Sequence, residues 1–253
     1  MPLSIKNVCF SYCSEKQILN DVSLNIENGQ LVTIVGPNGS GKTTLVKCMN
    51  KIHRPSSGCI VFDELDVMRA RPRQIAKKIG YVPQSSNDTM SGSVIDYILL
   101  GRRQYLSWKI RSSDLAVIMD VMQKLDIVDL ANVSFSELSG GQKQKVLVAR
   151  ALAQEPDIFL FDEPTSNLDI KNQLEIMDLA KNIVTELHKT VVMVVHDLNM
   201  AAHYSDRVAL MSNGRIISYG PPRDILTAEN IKQVYEVDVG ITADNLINPF
   251  ACV

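Results

Sequence analysis

Apolar and polar positions alternate through the first part of the chain. Ile5, Val8 and Phe10, then Val22, Leu24 and Ile26, predict antiparallel strands, and Asn28-Gly29 supplies a turn. The pattern then changes. Leu31-Val32-Thr33-Ile34-Val35 is one unbroken, mostly β-branched run, as expected of a strand buried on both faces of a parallel sheet. A glycine-rich stretch follows, with a helix predicted from about Thr43. Pro55-Ser56-Ser57-Gly58 breaks the chain, and Cys59-Ile60-Val61-Phe62 returns as a strand. Ile158–Phe161 and Val191–Val195 read as two more buried strands. Both end at polar residues, where ligands sit in open α/β sheets.

Between about 87 and 154 the period is different. Leu115, Ile118, Met119, Met122 and Leu125 fall at helical spacing, and no strand pattern interrupts before 158. A helical subdomain inserted into an α/β core is expected. After His196 the pattern gives a helix, then a hairpin in which Ser212-Asn213-Gly214 turns Val208–Met211 back into Arg215–Tyr219. Short helical patterns follow Pro221-Pro222. The expected division is 1–86 and 155–220 for the core, 87–154 for the helical subdomain, and 221–253 for a C-terminal tail.

Composition narrows the classes. With 253 residues the chain is long enough for one large domain with a substantial core. A net charge of −2 gives no general pull toward nucleic acid, and the cations Arg69, Arg71, Arg73, Lys77 and Lys78 read as a solvated helix face. The five cysteines (Cys9, Cys13, Cys48, Cys59, Cys252) are scattered, without a C-x-x-C pair, and read as reduced thiols of a cytosolic protein. The chain's start carries neither a cationic n-region nor an apolar h-region, so no secretory signal is expected. No apolar run approaches the ~20 residues a spanning helix needs. Any membrane role must go through a partner.

The chemistry concentrates at strand ends. Gly36-Pro37-Asn38-Gly39-Ser40-Gly41-Lys42-Thr43 sits between a predicted strand and a predicted helix, the context that a phosphate-binding P-loop requires. Its glycines let backbone N–H groups close around phosphate oxygens, and the helix N-terminus adds a favourable dipole. Lys42 supplies a charge to the β- and γ-phosphates, and the Thr43 hydroxyl can ligate Mg²⁺. Asp162 and Glu163 end the strand at 158–161. In a P-loop protein the first acid holds Mg²⁺, and a neighbouring carboxylate can polarise the attacking water, so Glu163 is the candidate base. Gln84, after the short strand at Tyr81-Val82, can touch a metal-bound water, although a glutamine after proline also reads as a solvated loop residue. His196 is either a structural histidine or, at the end of a core strand, a γ-phosphate contact. The fold class is α/β: a P-loop NTPase core with a mainly parallel sheet, antiparallel N-terminal strands and an inserted helical subdomain.

These residues, in this order and spacing, resemble the nucleotide-binding subunits of ABC transporters over essentially the whole chain. The match comprises the Walker A loop at 36–43, the Q-loop Gln84, the signature run Leu138-Ser139-Gly140-Gly141-Gln142, Walker B at 158–162, the D-loop Ser166-Asn167-Leu168-Asp169, and the switch His196. The resemblance implies ATP and Mg²⁺ as ligands. Gly36, Pro37, Asn38, Gly39, Ser40, Gly41, Lys42, Thr43 and Thr44 would hold the phosphates, with Thr43, Gln84 and Asp162 toward the metal. Catalytic roles would fall to Glu163, His196, Gln84 and Lys42. It also implies that Ser139, Gly140, Gly141 and Gln142, with Asp169, complete the cage of a second copy, in a head-to-tail homodimer. The physics fits, because a helix beginning at about Gln142 offers a second anion site. Tyr12 occupies the family's adenine-stacking position, though it reads equally as an ordinary strand aromatic, and stacking alone does not select ATP over GTP.

Two residues depart from the family pattern: Asn167, where small residues are usual, and Cys13, where glycine is common. The stretches Ser93–Tyr97 and Leu100–Arg103, with His196–Ala201 and Gly220–Arg223, resemble importers of ferric siderophores, haem, cobalamin and related metal chelates. That branch implies integral-membrane permease subunits as partners, a substrate-binding protein indirectly, and a peripheral position on the cytoplasmic face of the membrane. A soluble ABC ATPase in metal-cluster assembly or a regulatory scaffold would share every catalytic motif and is the alternative.

Overall fold

The computed structural model describes residues 3–12, 16–84, 92–105, 110–242 and 246–249. Cys13, Cys252 and the boundary expected between 86 and 87 lie outside them. In chain order the strands are β1 (Leu3–Ser11), β2 (Gln17–Ile26), β3 (Leu31–Val35), β4 (Ser57–Phe62), β5 (Leu65–Asp66), β6 (Ile79–Val82), β7 (Ile158–Asp162), β8 (Thr190–Val194), β9 (Arg207–Ser212) and β10 (Arg215–Gly220). The helices are α1 (Lys42–Met49), α2 (Pro72–Lys78), α3 (Val94–Leu99), α4 (Ser112–Lys124), α5 (Gly140–Ala153), α6 (Ile170–Thr185), α7 (Leu198–Tyr204), α8 (Pro222–Ile225) and α9 (Ala228–Tyr235).

The chain forms two compact units, one of Met1–Ala70 with Leu179–Val253, the other Arg71–Asp178. In the first, β2, β1, β4 and β5 lie side by side as an antiparallel sheet. β3 runs parallel to both β8 and β9, and β10 folds back antiparallel on β9. All five residues of β3 and of β8 are buried, which is why neither shows polar alternation. A short ladder pairs Gly240–Ile241 with Ile247–Asn248 in the tail, where only helical patterns were expected.

The second unit sets β6 parallel to β7, with Val82 opposite Phe161. Between 92 and 154 its described residues form helices and single 3₁₀ turns, joined by one bridge between Ser93 and Ser134. On α4 the predicted apolar stripe divides. Ile118, Met122 and Leu125 are buried, whereas Leu115 and Met119 are 44% and 36% exposed. Gly101 is required by packing, since a Cβ there would lie 2.1 Å from the Arg150 carbonyl oxygen of α5. Next to it the buried Arg102 guanidinium pairs with Asp114 at 3.1 Å and donates to the Ala153 carbonyl at 2.9 Å, tying α4 to the end of α5. The basic cluster is largely engaged: Arg69 with Asp66, Lys78 with Asp157, Arg73 with the Gln104 carbonyl, and Lys77 over the Tyr105 ring.

Candidate nucleotide site

In the first unit the candidate residues share one sheet edge. β3 and β8 run parallel with Ile34 opposite Val194, so the loop after β3 and His196 after β8 leave from the same ends. The Val195 amide still donates to the Ile34 carbonyl, and the chain reaches solvent at His196.

The P-loop shape follows from its glycines. Gly36, at φ 154°, passes so close to β9 that a Cβ would sit 2.1 Å from the Met211 carbonyl oxygen. Gly41 ends the loop at φ 103°, a conformation that side chains resist. It precedes α1 and, having no side chain, does not cap that helix. Lys42, 4% exposed, turns back onto the loop and donates to the Gly36 and Pro37 carbonyls at 2.8 and 3.0 Å. The buried Ser40 Oγ has no hydrogen-bond partner among the described residues. A buried hydroxyl without a partner, a glycine-shaped loop at a helix start and an ammonium held on that loop are what a polyphosphate would satisfy. Tyr12, 59% exposed, reaches this helix through its hydroxyl, 3.4 Å from Thr44 Oγ1.

In the second unit the register of β6 on β7 brings two expected residues together. Gln84 and Glu163 each leave just beyond a strand end, and Gln84 Nε2 donates to Glu163 Oε2 at 2.7 Å. The same oxygen accepts from Ser166 Oγ at 3.3 Å. Glu163 itself has φ 51°, a left-handed conformation that is costly for an acyclic side chain and typical of functional turns. Asp162 is 2% exposed and accepts from the Tyr81 hydroxyl at 3.1 Å. Burial, and then the Asp162 charge, push the Tyr81 phenol well above its ordinary value, so it remains a donor. Tyr81 carries no role in the sequence reading and Ser166 enters it only as the first D-loop residue; the strand register and the turn after β7 reveal their bonds to Asp162 and Glu163.

The signature run builds the start of α5. Ser139 Oγ accepts from the Gln142 amide and Gln142 Oε1 accepts from the Ser139 amide at 2.9 Å, a capping box that starts the helix at Gly140 rather than at Gln142. Gly141 is buried against the D-loop helix: a Cβ there would lie 2.4 Å from Asn172 Oδ1. Asn172 is fixed in turn, its amide and its Nδ2 both donating to Asp169 Oδ1 at 2.8 Å, so Asp169 acts as the cap of α6. Asn167 has φ 60°, which accounts for asparagine at that position, since it tolerates the left-handed region better than other non-glycine residues.

Comparison with known proteins agrees with this geometry. The ABC transporter family matches residues 19–166. An uncharacterized ABC transporter ATP-binding protein of Methanocaldococcus jannaschii is 43% identical over 95% of this chain and 94% of its own. The petrobactin import ATP-binding protein of Bacillus subtilis is 33% identical, covering 96% of each chain. The hemin import ATP-binding protein of Thermobifida fusca is 34% identical over 95% of this chain and 84% of its own. Among solved structures, an inward-facing metal-chelate type ABC transporter superposes with a TM-score of 0.83 at 30% identity, covering 97% of this chain and 95% of that one. A dimeric post-hydrolysis ATP-binding cassette bound to ADP and phosphate gives 0.77 at 31% identity, over 87% of this chain and 99% of that one. The chain belongs to the ABC transporter family, as one of its ATP-binding subunits, an ATPase of the P-loop class.

Proposed function

We propose that this chain powers an importer of an iron chelate, haem, cobalamin or a similar metal complex. Two identical copies would work head to tail on the cytoplasmic face of the membrane, bound to permease subunits that receive cargo from a substrate-binding protein. The relatives named for petrobactin and hemin import, and the metal-chelate transporter structure, support the cargo class. Among the described residues no helix is long and apolar enough to cross a membrane.

The observation that carries the reading is that one chain places a glycine-rich helix start in each of its two compact units. α1 follows Gly41, which offers no side-chain cap, and α5 opens on Ser139-Gly140-Gly141. A second copy would bring the α5 start to the γ-phosphate held by the P-loop. In that cage Lys42 leaves the loop carbonyls for the β- and γ-phosphates, Ser40 Oγ and the α1 amides take phosphate oxygens, and Tyr12 stacks on the adenine. Thr43, Asp162 and Gln84 offer the hydroxyl, carboxylate and carboxamide oxygens that Mg²⁺ prefers, and the ion would offset the phosphate charge. Glu163, oriented by Gln84 and Ser166, takes the proton of the attacking water, and His196 holds the γ-phosphate side.

The test is co-expression with the products of neighbouring genes. The importer reading predicts co-purification with a multi-helix membrane protein and ATP turnover stimulated by a metal-chelate binding protein. A chain that remains partner-free would instead support a soluble ABC ATPase.

A further inference from the structure

His53 lies just past the end of α1, its amide held by the Lys47 carbonyl at 3.1 Å. No motif marks it, yet its ring is the centre of a three-ring cluster. Phe10, 7% exposed, stacks on it with centroids 5.1 Å apart and planes 18° apart. Tyr12 meets the same imidazole edge-on at 5.2 Å, and meets Phe10 edge-on at 4.9 Å. His53 Nε2 lies 3.2 Å from the Tyr12 hydroxyl. Burial, and then the nearby Lys47 charge, lower the imidazole pKa, while the Ile52 backbone carbonyl opposes this by favouring a ring N–H. The ring is therefore neutral near pH 7. A neutral imidazole has one donor and one acceptor, and in the tautomer protonated at Nδ1 the Nε2 atom accepts the Tyr12 hydroxyl proton. The Tyr12 oxygen can then accept from Thr44 Oγ1 at 3.4 Å.

The result is a side chain held at its hydroxyl by His53 and Thr44 and along its ring by Phe10 and His53, though it stands 59% exposed at the end of β1. An exposed tyrosine normally samples several rotamers, and a base that stacks on it must fix one of them on binding. We propose that His53 is a positioning residue for purine-nucleotide binding: it holds Tyr12 in the one orientation that accepts the base. The proposal rests on the reading of Tyr12 as the adenine platform.

Steady-state ATP kinetics of the full chain test it, with inorganic tripolyphosphate, which has no base, as a competitive inhibitor. His53→Leu keeps an apolar side chain beside Phe10 but removes the acceptor. It should raise KM for ATP about fivefold, part of the loss expected when a base–aromatic stack is removed. Its kcat should stay within about twofold, and its tripolyphosphate inhibition constant should not move. His53→Gln, which returns an acceptor near the position of Nε2, should recover most of the affinity. A rise in KM matched by an equal rise in the tripolyphosphate constant would mean general damage to the P-loop helix and would overturn the proposal. Tyr12→Ala separates the two layers of the argument. If it raises KM while His53→Leu does not, positioning by His53 is wrong and the platform stands. If Tyr12→Ala leaves KM unchanged, the platform reading fails and the proposal with it.

Discussion

At Glu163 a left-handed backbone, two hydrogen-bond donors on one oxygen and a place beyond β7 converge on a single carboxylate. A base needs a fixed direction, and this arrangement holds the carboxylate by its Oε2. Glu163→Gln is close in shape and can still bond Gln84 and Ser166, so the turn should survive while the basic group is lost. Turnover should fall about 10²–10⁴-fold, the usual contribution of a general base, with ATP affinity nearly unchanged in a nucleotide-binding assay. A variant that hydrolyses ATP near the parent rate would remove Glu163 from the mechanism. The sequence made this residue legible because an acid directly after a buried strand has few structural uses. The contacts of Tyr81 and His53 were not legible, since their partners lie across a strand register or a gap of about forty positions that periodicity does not span, and the D-loop motif containing Ser166 does not show its bond to Glu163.

Elements impose a second layer of constraint. The buried Gly141 face of α5 lies on Asn172 of α6, and Asn172 is held by the cap residue Asp169, so it cannot easily swing aside. Gly141→Ala should therefore destabilise the protein by about 1–3 kcal/mol, an overpacking cost, read as a lower denaturation midpoint. Trimming Asn172 to alanine in the same chain should restore much of the loss. Gly140 has only Leu168 Cδ2 nearby, at 3.8 Å, and Gly140→Ala should leave stability almost unchanged. Equal effects at both glycines would refute this account of the contact. Elements were the most readable part of the sequence, because unbroken apolar runs gave β3, β7 and β8 and the Ser139/Gln142 pair explains where α5 starts. The α4 stripe was over-read: spacing alone does not show that Leu115 and Met119 face solvent.

At the scale of the whole molecule, the phosphate loop, Tyr12 and His196 belong to one compact unit, and Gln84, the signature helix, Glu163 and the D-loop to the other. The sequence showed a helical segment between core strands but not that β6 and β7 group with it, because that grouping depends on packing between residues far apart in the chain. In the proposed cycle, ATP shifts a population from separate copies to a closed pair. Moving such an equilibrium from 1:99 to 99:1 takes about 5.5 kcal/mol of differential binding, within reach of two enclosed polyphosphates. Ser139 is the sharpest probe, since in the proposed head-to-tail pair it acts on the partner's nucleotide. The most direct measurement is the mass of the protein in solution with Mg-ATP, by analytical ultracentrifugation. The account predicts that Glu163→Gln sediments as a dimer with ATP, whereas Glu163→Gln combined with Ser139→Arg stays monomeric and still binds ATP with undiminished affinity. A double variant that dimerises as readily as the single one would contradict it.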